Sequence, residues 1–302
     1  MRYFFNGTRT QALLVVGIGL TLFSAECFAA EAASSKKVPP GAAALGYTKC
    51  VIDERPSVAD IAPGKTGHFK WFNGLSYQPQ MPSSEFEMVD GVLAVHPRAV
   101  LVSTPHDFSN TGRFPTLPGK DGFYVEFDVR LSDNDPDHWP AVWMLPVEHN
   151  FKEGFHDEGD PEGYLRYMEL DVDEGGFGPG MTGTVHNWAG HLGKLERHIQ
   201  NPNNFLPNPL DRTQVHTFGA SYDPSRTSIV WWLDGVKQIS AASPYVPYIA
   251  TKQHFYLIMN ANFHEKKDQD YRMFISGVRA YVPPTSALPT VPPSTKTQER
   301  GR

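Results

Sequence analysis

Cysteine is nearly missing from this sequence: there are two, Cys27 and Cys50. Cys27 lies in an N-terminal segment expected to be removed, which strands Cys50. No internal disulfide is therefore expected, and the mature chain must hold together by its core. Metal-ligand spacing of Cys and His is lacking too, and His264-Glu265 has no second histidine to complete a zinc-protease helix. Positive net charge is also absent. The 27 Lys and Arg against 33 Asp and Glu leave a formal charge of −6, which argues against nucleic acid as a partner and fits a neutral ligand. Beyond the N-terminus no apolar run is long enough to span a bilayer, and no long stretch carries clear 3.6-residue periodicity.

What is present begins with a secretory signal over residues 1–30. Arg2 and Arg9 precede the apolar run from Ala12 to Phe23, and the small residues Ala29 and Ala30 follow as a cleavage region. An uncleaved anchor is the rival reading; the charged Glu26 argues against lipid attachment at Cys27. The expected location is secreted or periplasmic, with no stable membrane association after cleavage. Residues 31–66, rich in Ala, Ser, Lys and Pro, read as a linker or loosely packed arm. Residues 283–302 read as a disordered Pro/Thr/Ser-rich tail. Between them, residues 67–282 form the expected main domain, and a composition 40% hydrophobic supplies it with a sizeable core.

Its patterning is β throughout. From Phe123 to Leu131 apolar and polar residues alternate, with Phe123, Val125, Phe127, Val129 and Leu131 on one face. His254 to Phe263 repeats the device, its odd-numbered positions suiting a core. Gly91–Val95, Thr217–Tyr222, Ser228–Leu233 and Met273–Val282 are further strands, and Asp234-Gly235 signals a hairpin. Many strands between Gly, Pro and Asp turns imply an all-β chain: a β-sandwich of jelly-roll type, two stacked antiparallel sheets with a concave cleft. A closed barrel is the competing architecture.

One segment breaks the ordinary rules of a strand. In Glu169-Leu170-Asp171-Val172-Asp173-Glu174 four acids occupy six positions, although acids are depleted in strands. Leu170 and Val172 suit a core, which leaves Glu169, Asp171 and Asp173 side by side on the other face at a cost in stability. A solvated acidic edge or a calcium loop is the plain alternative. Hydrolysis of a glycosidic bond with retention gives a reason for the pattern: it needs one carboxylate as nucleophile and another as acid, then base. Parity is a problem, because Glu169 and Glu174 are five apart and face opposite sides of a regular strand. Either Asp173 is the acid, or an extra residue bulges and returns Glu174 to the face of Glu169. Gly175 and Gly176 follow at once and would ease an irregular backbone.

The same segment resembles the E-[IL]-D-x-x-E signature of glycoside hydrolase family 16, the laminarinase, lichenase, agarase and carrageenase group. The resemblance extends in order over roughly residues 67–282. It takes in Val89-Asp90-Gly91-Val92-Leu93, the strand from Gly122 to Leu131, and Trp139-Pro140-Ala141-Val142-Trp143-Met144-Leu145-Pro146. It continues through Thr184-Val185-His186, the run from His216 to Tyr222, and Trp232-Leu233-Asp234-Gly235. It implies a jelly roll with Glu169 as nucleophile, Asp171 as assisting acid and Glu174 as acid/base, on a strand whose β-bulge holds Asp173. Two positions depart from the family pattern. Met168 stands where many members have Gly before the nucleophile, and Met259 to His264 lacks the paired glycines of the late strand. Both departures bear on specificity more than on catalysis.

Strand parity points Trp139 and Trp143 at the cleft, with Pro140, Val142 and Met144 inward, and puts Thr184, His186 and Trp188 on one face. Trp139, Trp143, His186, Trp188 and Asn260 are the expected substrate-binding residues; Tyr256, Trp71 and Asn73 are weaker candidates. The expected activity is endo-acting, retaining hydrolysis of a β-linked polysaccharide, a β-1,3- or β-1,3-1,4-glucan first. Galactan hydrolysis, transglycosylation and a non-catalytic carbohydrate-binding role on the same fold are the alternatives. No cofactor is required. The family resemblance allows a structural calcium, but no residue marks its ligands. The polysaccharide is the expected partner of a monomer.

Overall fold

The structure, a computed structural model, describes residues 37–288 apart from 109–110, 151–158, 176–179, 192–193, 203–208 and 264–269. The signal segment, Gly176, His264-Glu265 and the tail beyond residue 288 lie outside the described residues. Among the described residues a short helix α1 (Pro40–Ala43) precedes sixteen strands. They are β1 (Lys49–Glu54), β2 (Phe72–Asn73), β3 (Phe86–Val89), β4 (Val92–Val95), β5 (Val100–Val102), β6 (Leu117–Pro118), β7 (Phe123–Leu131) and β8 (Ala141–Pro146). There follow β9 (Tyr164–Glu174), β10 (Thr184–His191), β11 (Lys194–Gln200), β12 (His216–Asp223), β13 (Ser228–Leu233), β14 (Val236–Ala242), β15 (His254–Asn260) and β16 (Met273–Val282).

They form two eight-stranded antiparallel sheets stacked as a sandwich, as the patterning implied, and not a closed barrel. The first runs β14-β13-β12-β7-β16-β4-β3, with β1 beside β16; the second runs β11-β10-β9-β8-β15-β5-β2, with β6 beside β15. The core lies between them. Phe123, Val125, Phe127, Val129 and Leu131 of β7 meet Phe255, Leu257 and Met259 of β15, Val142 and Met144 of β8, and Leu170 and Val172 of β9. Period-two alternation is what lets each strand contribute one face to that layer. The β13–β14 turn is made by Asp234 and Gly235, both at positive φ, as a tight hairpin requires.

The stretch read as a linker or loosely packed arm is built differently in its described part. From Val38 the chain belongs to the same compact unit as the sandwich. Strand β1 pairs with β16 from Lys49↔Val282 to Glu54↔Val278, and Ala42 and Tyr47 pack against Tyr124 and Tyr281 on the outside of the first sheet. Polar composition hid it, since an edge strand needs only one buried side chain, here Ile52. Cys50 makes no disulfide; its thiol donates to the Ile52 carbonyl. No helix among the described residues is long and apolar enough to cross a membrane.

A second, smaller core covers part of the outer face of the second sheet. Phe72, Leu75 and Phe108 pack there on Val102, Leu145, Tyr256 and Ile258. The neighbouring part of that face, over β8, β9 and β10, carries the acids.

Candidate active site

The acid-rich strand is bulged. Between β8 and β9 the register passes from Trp143↔Asp171 to Val142↔Asp173 and Ala141↔Glu174, so Val172 is the extra residue. One inserted residue reverses the alternation beyond it. Leu170 and Val172 stay in the core, Asp173 turns away from the other acids, and Glu174 returns to the face of Glu169 and Asp171. The bulge residue is thus Val172, immediately before Asp173.

Asp173 is accounted for by an ion pair. Arg212 clamps it with two bonds, Nη1 to Oδ2 at 2.7 Å and Nη2 to Oδ1 at 3.1 Å, and the Thr182 amide donates to Oδ1. A buried carboxylate needs such a partner. It is therefore spoken for, and the reading of Asp173 as the acid is not supported by its position. Nothing in the local sequence announced Arg212, 39 residues away.

Glu169, Asp171 and Glu174 converge. The carboxyls of Asp171 and Glu174 share a hydrogen bond. Glu169 accepts from Trp188 Nε1 at 3.0 Å, and Glu174 accepts from Trp139 Nε1 at 3.2 Å. From the core side, Trp231 Nε1 donates to the Asp171 carbonyl at 2.8 Å. Gly183 lets Trp231 in, because a Cβ there would meet its ring at 2.4 Å. Gly175 serves a similar purpose: its amide donates to the Pro140 carbonyl, and a Cβ would sit 2.4 Å from Pro140 Cδ. That close approach brings Trp139 to the end of β9.

Burial and mutual repulsion move the acids' protonation together. Burial, then the negative charge of Asp171, pushes Glu169 up to about 8, against the pull of His186 and the Trp188 N–H. Burial and then the charge of Glu174 raise Asp171 well above the usual carboxylate range; Glu174 is raised by its own burial as well, against the Trp139 N–H, the pull of His186 and, least, the bond in which Asp171 is the donor. The proton of the inner pair therefore rests on Asp171 and points at Glu174.

The expected binding residues sit around this group, in roles strand parity did not distinguish. Trp143 donates through Nε1 to Asn260 Oδ1 at 2.6 Å, tying β8 to β15. His186 Nε2 lies 2.9 Å from Asp171 Oδ2, off the line of a good hydrogen bond. Trp188 stands between cross-strand neighbours, with Tyr167 of β9 on one side and His198 of β11 on the other. Its ring stacks on His198 at 3.7 Å between centroids and on Tyr167 at 6.3 Å. His198 thus covers one broad side of Trp188, while the Trp188 N–H holds Glu169. Tyr256 is buried beside Phe108 and Trp71 lies in the main core, which removes both as sugar contacts. Asn73 braces a loop: its side chain donates to the Met81 carbonyl and accepts from the Met81 amide.

That braced loop carries Tyr77, 58% exposed, close enough to Glu169 to feel its charge. Tyr77 and His198 are the site residues the sequence did not single out. No local pattern announced His198; it reaches the site because β11 pairs with β10 and sets it opposite Trp188. Glu169, Asp171 and His186 each offer a ligand atom within 4.8 Å of the others, a set that a divalent cation would fit. Trp188 and Glu174 already engage two of the three.

No protein-family model matches the chain, and no curated protein matches it. Solved structures do. LamAcat from Zobellia galactanivorans is 15% identical, with 80% of this chain and 99% of that one covered at a TM-score of 0.50. A structure reported with the endo-acting O-glycanases by which members of the human gut microbiota initiate mucin breakdown is 13% identical, covering 78% and 99% at 0.52. SCLam, a non-specific endo-β-1,3(4)-glucanase from family GH16, is 15% identical, covering 77% and 94% at 0.47. Of these three, SCLam is the one whose name gives a glycoside hydrolase family, GH16; what all three share with this chain, at low sequence identity, is the all-β sandwich fold.

Proposed function

We propose that this protein is an endo-acting, retaining glycoside hydrolase of β-linked polysaccharides. The observation that carries the reading is the bulge at Val172, which gathers Glu169, Asp171 and Glu174 on one face while Arg212 retires Asp173. A strand has little reason to concentrate three raised carboxyls unless their shared proton is used.

In the first step a Glu169 oxygen attacks the anomeric carbon as the glycosidic C–O bond breaks, and Glu174 gives its proton to the leaving oxygen. In the second, Glu174 takes a proton from water, the water oxygen bonds to the anomeric carbon, and Glu169 leaves as carboxylate. Asp171 hands its proton to Glu174 before the first step and receives it back after the second. Trp188 and Trp139 aim the two outer carboxyls throughout. No step calls for a cofactor, and a cation held by Glu169, Asp171 and His186 would compete for the nucleophile.

The first substrate choice is a β-1,3- or mixed-linkage β-glucan, from the Trp-Pro-Ala-x-Trp segment and the bulged strand. Secretion or periplasmic location and a monomeric state complete the proposal. Reducing-end release from laminarin, mixed-linkage glucan and galactans is to be compared between wild type and Glu169→Gln. Release by the wild type that the variant lacks supports the reading. Equal background from both, with retained polysaccharide binding, would make the protein a lectin-like binder.

A further inference from the structure

His198 lies outside the acid group, on a strand whose residues are mostly exposed, yet two contacts fix it to the site. Its Nε2 is 2.7 Å from His186 Nδ1, its ring lies at 3.7 Å and 10° on Trp188, and both partners touch an acid. His186 reaches Asp171 Oδ2 at 2.9 Å, and Trp188 donates to Glu169. Two ring nitrogens at 2.7 Å hold one proton between them, so one imidazole donates and the other accepts. The choice has a consequence two groups away. If His198 Nε2–H donates, His186 accepts at Nδ1 and carries its own proton on Nε2, facing Asp171. Asp171 Oδ2 then faces a donor, and the Asp171 proton stays on the oxygen turned to Glu174. In the opposite arrangement His186 shows Asp171 a bare lone pair, which draws that proton away from Glu174.

The geometry points to His198 as a positioning residue that sets the His186 tautomer and so keeps the shared proton on the Glu174 side of Asp171. The inference rests on the hydrolase reading for its kinetic consequence, but not for the tautomer itself. A ring nitrogen fixed by a hydrogen bond on its far side is the usual way a protein selects one imidazole tautomer. Here the selecting ring is in turn held flat by Trp188, so one residue braces both His186, beside Asp171, and Trp188, which holds Glu169.

Three variants separate these contacts. His198→Phe keeps a flat ring on Trp188 and removes the donor; His198→Gln restores an N–H donor; His198→Ala removes both. Long-range nitrogen–proton spectra of the histidine rings read the tautomer in the full chain, with or without activity. The expected result is Nε2–H for His186 in the wild type and in His198→Gln, and a mixed or reversed tautomer in His198→Phe. On the polysaccharide the wild type cleaves, His198→Phe is expected to lower kcat about tenfold, the worth of one hydrogen bond, with KM unchanged. His198→Gln recovers most of that loss, and His198→Ala loses more than His198→Phe because Glu169 is loosened too. A His186 tautomer unchanged in His198→Phe overturns the inference whether or not the protein is a hydrolase. So does a kcat unchanged in an active enzyme. A wild type that cleaves nothing, with the tautomer responding as described, overturns the hydrolase reading alone.

Discussion

Four acids stand in six positions, and the structure gives them two different fates. Asp173 is structural, so Asp173→Asn leaves Arg212 buried without its charge partner and is expected to cost about 3–5 kcal/mol of stability, while kcat of the folded fraction holds. Glu174→Gln is expected to do the reverse, keeping the melting temperature and lowering kcat by about 10²–10⁴. Thermal melts beside initial rates distinguish the pair, and a greater catalytic loss from Asp173→Asn would reverse the assignment. The raised carboxyls also fix the sign of a pH effect. Glu169 must be ionised to attack, and burial pushes it up to about 8, so activity should fall on the acid side well above the usual carboxylate range near 4.5. An acid limb of kcat/KM near 4.5 would contradict that. For stability the same shift works oppositely: the protonated carboxyl's contribution is full below 4.5 and is lost as pH rises through about 8. Spacing marked the acid-rich strand but left Asp173 and Glu174 as rival acids; only the family resemblance preferred Glu174. The tryptophans' roles were not legible, because parity assigns a side chain to a face but leaves the rotation of its ring open, and Trp139, Trp143 and Trp188 each turn out to donate an N–H.

At the scale of elements, the bulge decides the site, and Gly175 locks its far end. Gly175→Ala would drive a methyl into Pro140, so β8 must retreat from β9 and take Trp139 from Glu174. The expected result is about 1–3 kcal/mol of destabilisation with a drop in kcat that a melt at assay temperature separates from unfolding. An unchanged kcat and melting temperature would mean Pro140 yields without moving Trp139. Strands with one apolar side, such as β7 and β15, were readable directly. Strands β1 and β11 were not: one buries little and the other lies exposed at a sheet edge, so neither shows the alternation that a half-buried strand must have. Parity flagged that something irregular lay in β9, but only pairing with β8 shows which residue is extra.

From Val38 on, the described residues form a sandwich with an N-terminal segment packed on its first sheet and loops packed on part of its second. Removing residues 38–54 would strip Tyr47 from Tyr124 and leave the β16 edge open. At about 1.5–3 kcal/mol for each large side chain exposed, a clear fall in melting temperature is expected, with the site's own geometry intact at low temperature. An unchanged melting temperature would show that segment to be dispensable. At this scale the fold class was legible because alternation and turn residues recur along the chain, whereas the covered half of the second sheet depends on contacts between distant loops that no local pattern records. The central claim is that Glu169 and Glu174 act on one sugar linkage from one face, with Glu169 bonding to the anomeric carbon. Proton NMR of the first product released from laminarin, or from whichever β-glucan the protein cleaves, tests it most directly. The account predicts that the new reducing end appears first as the β-anomer and only later mutarotates; initial release of the α-anomer would contradict it.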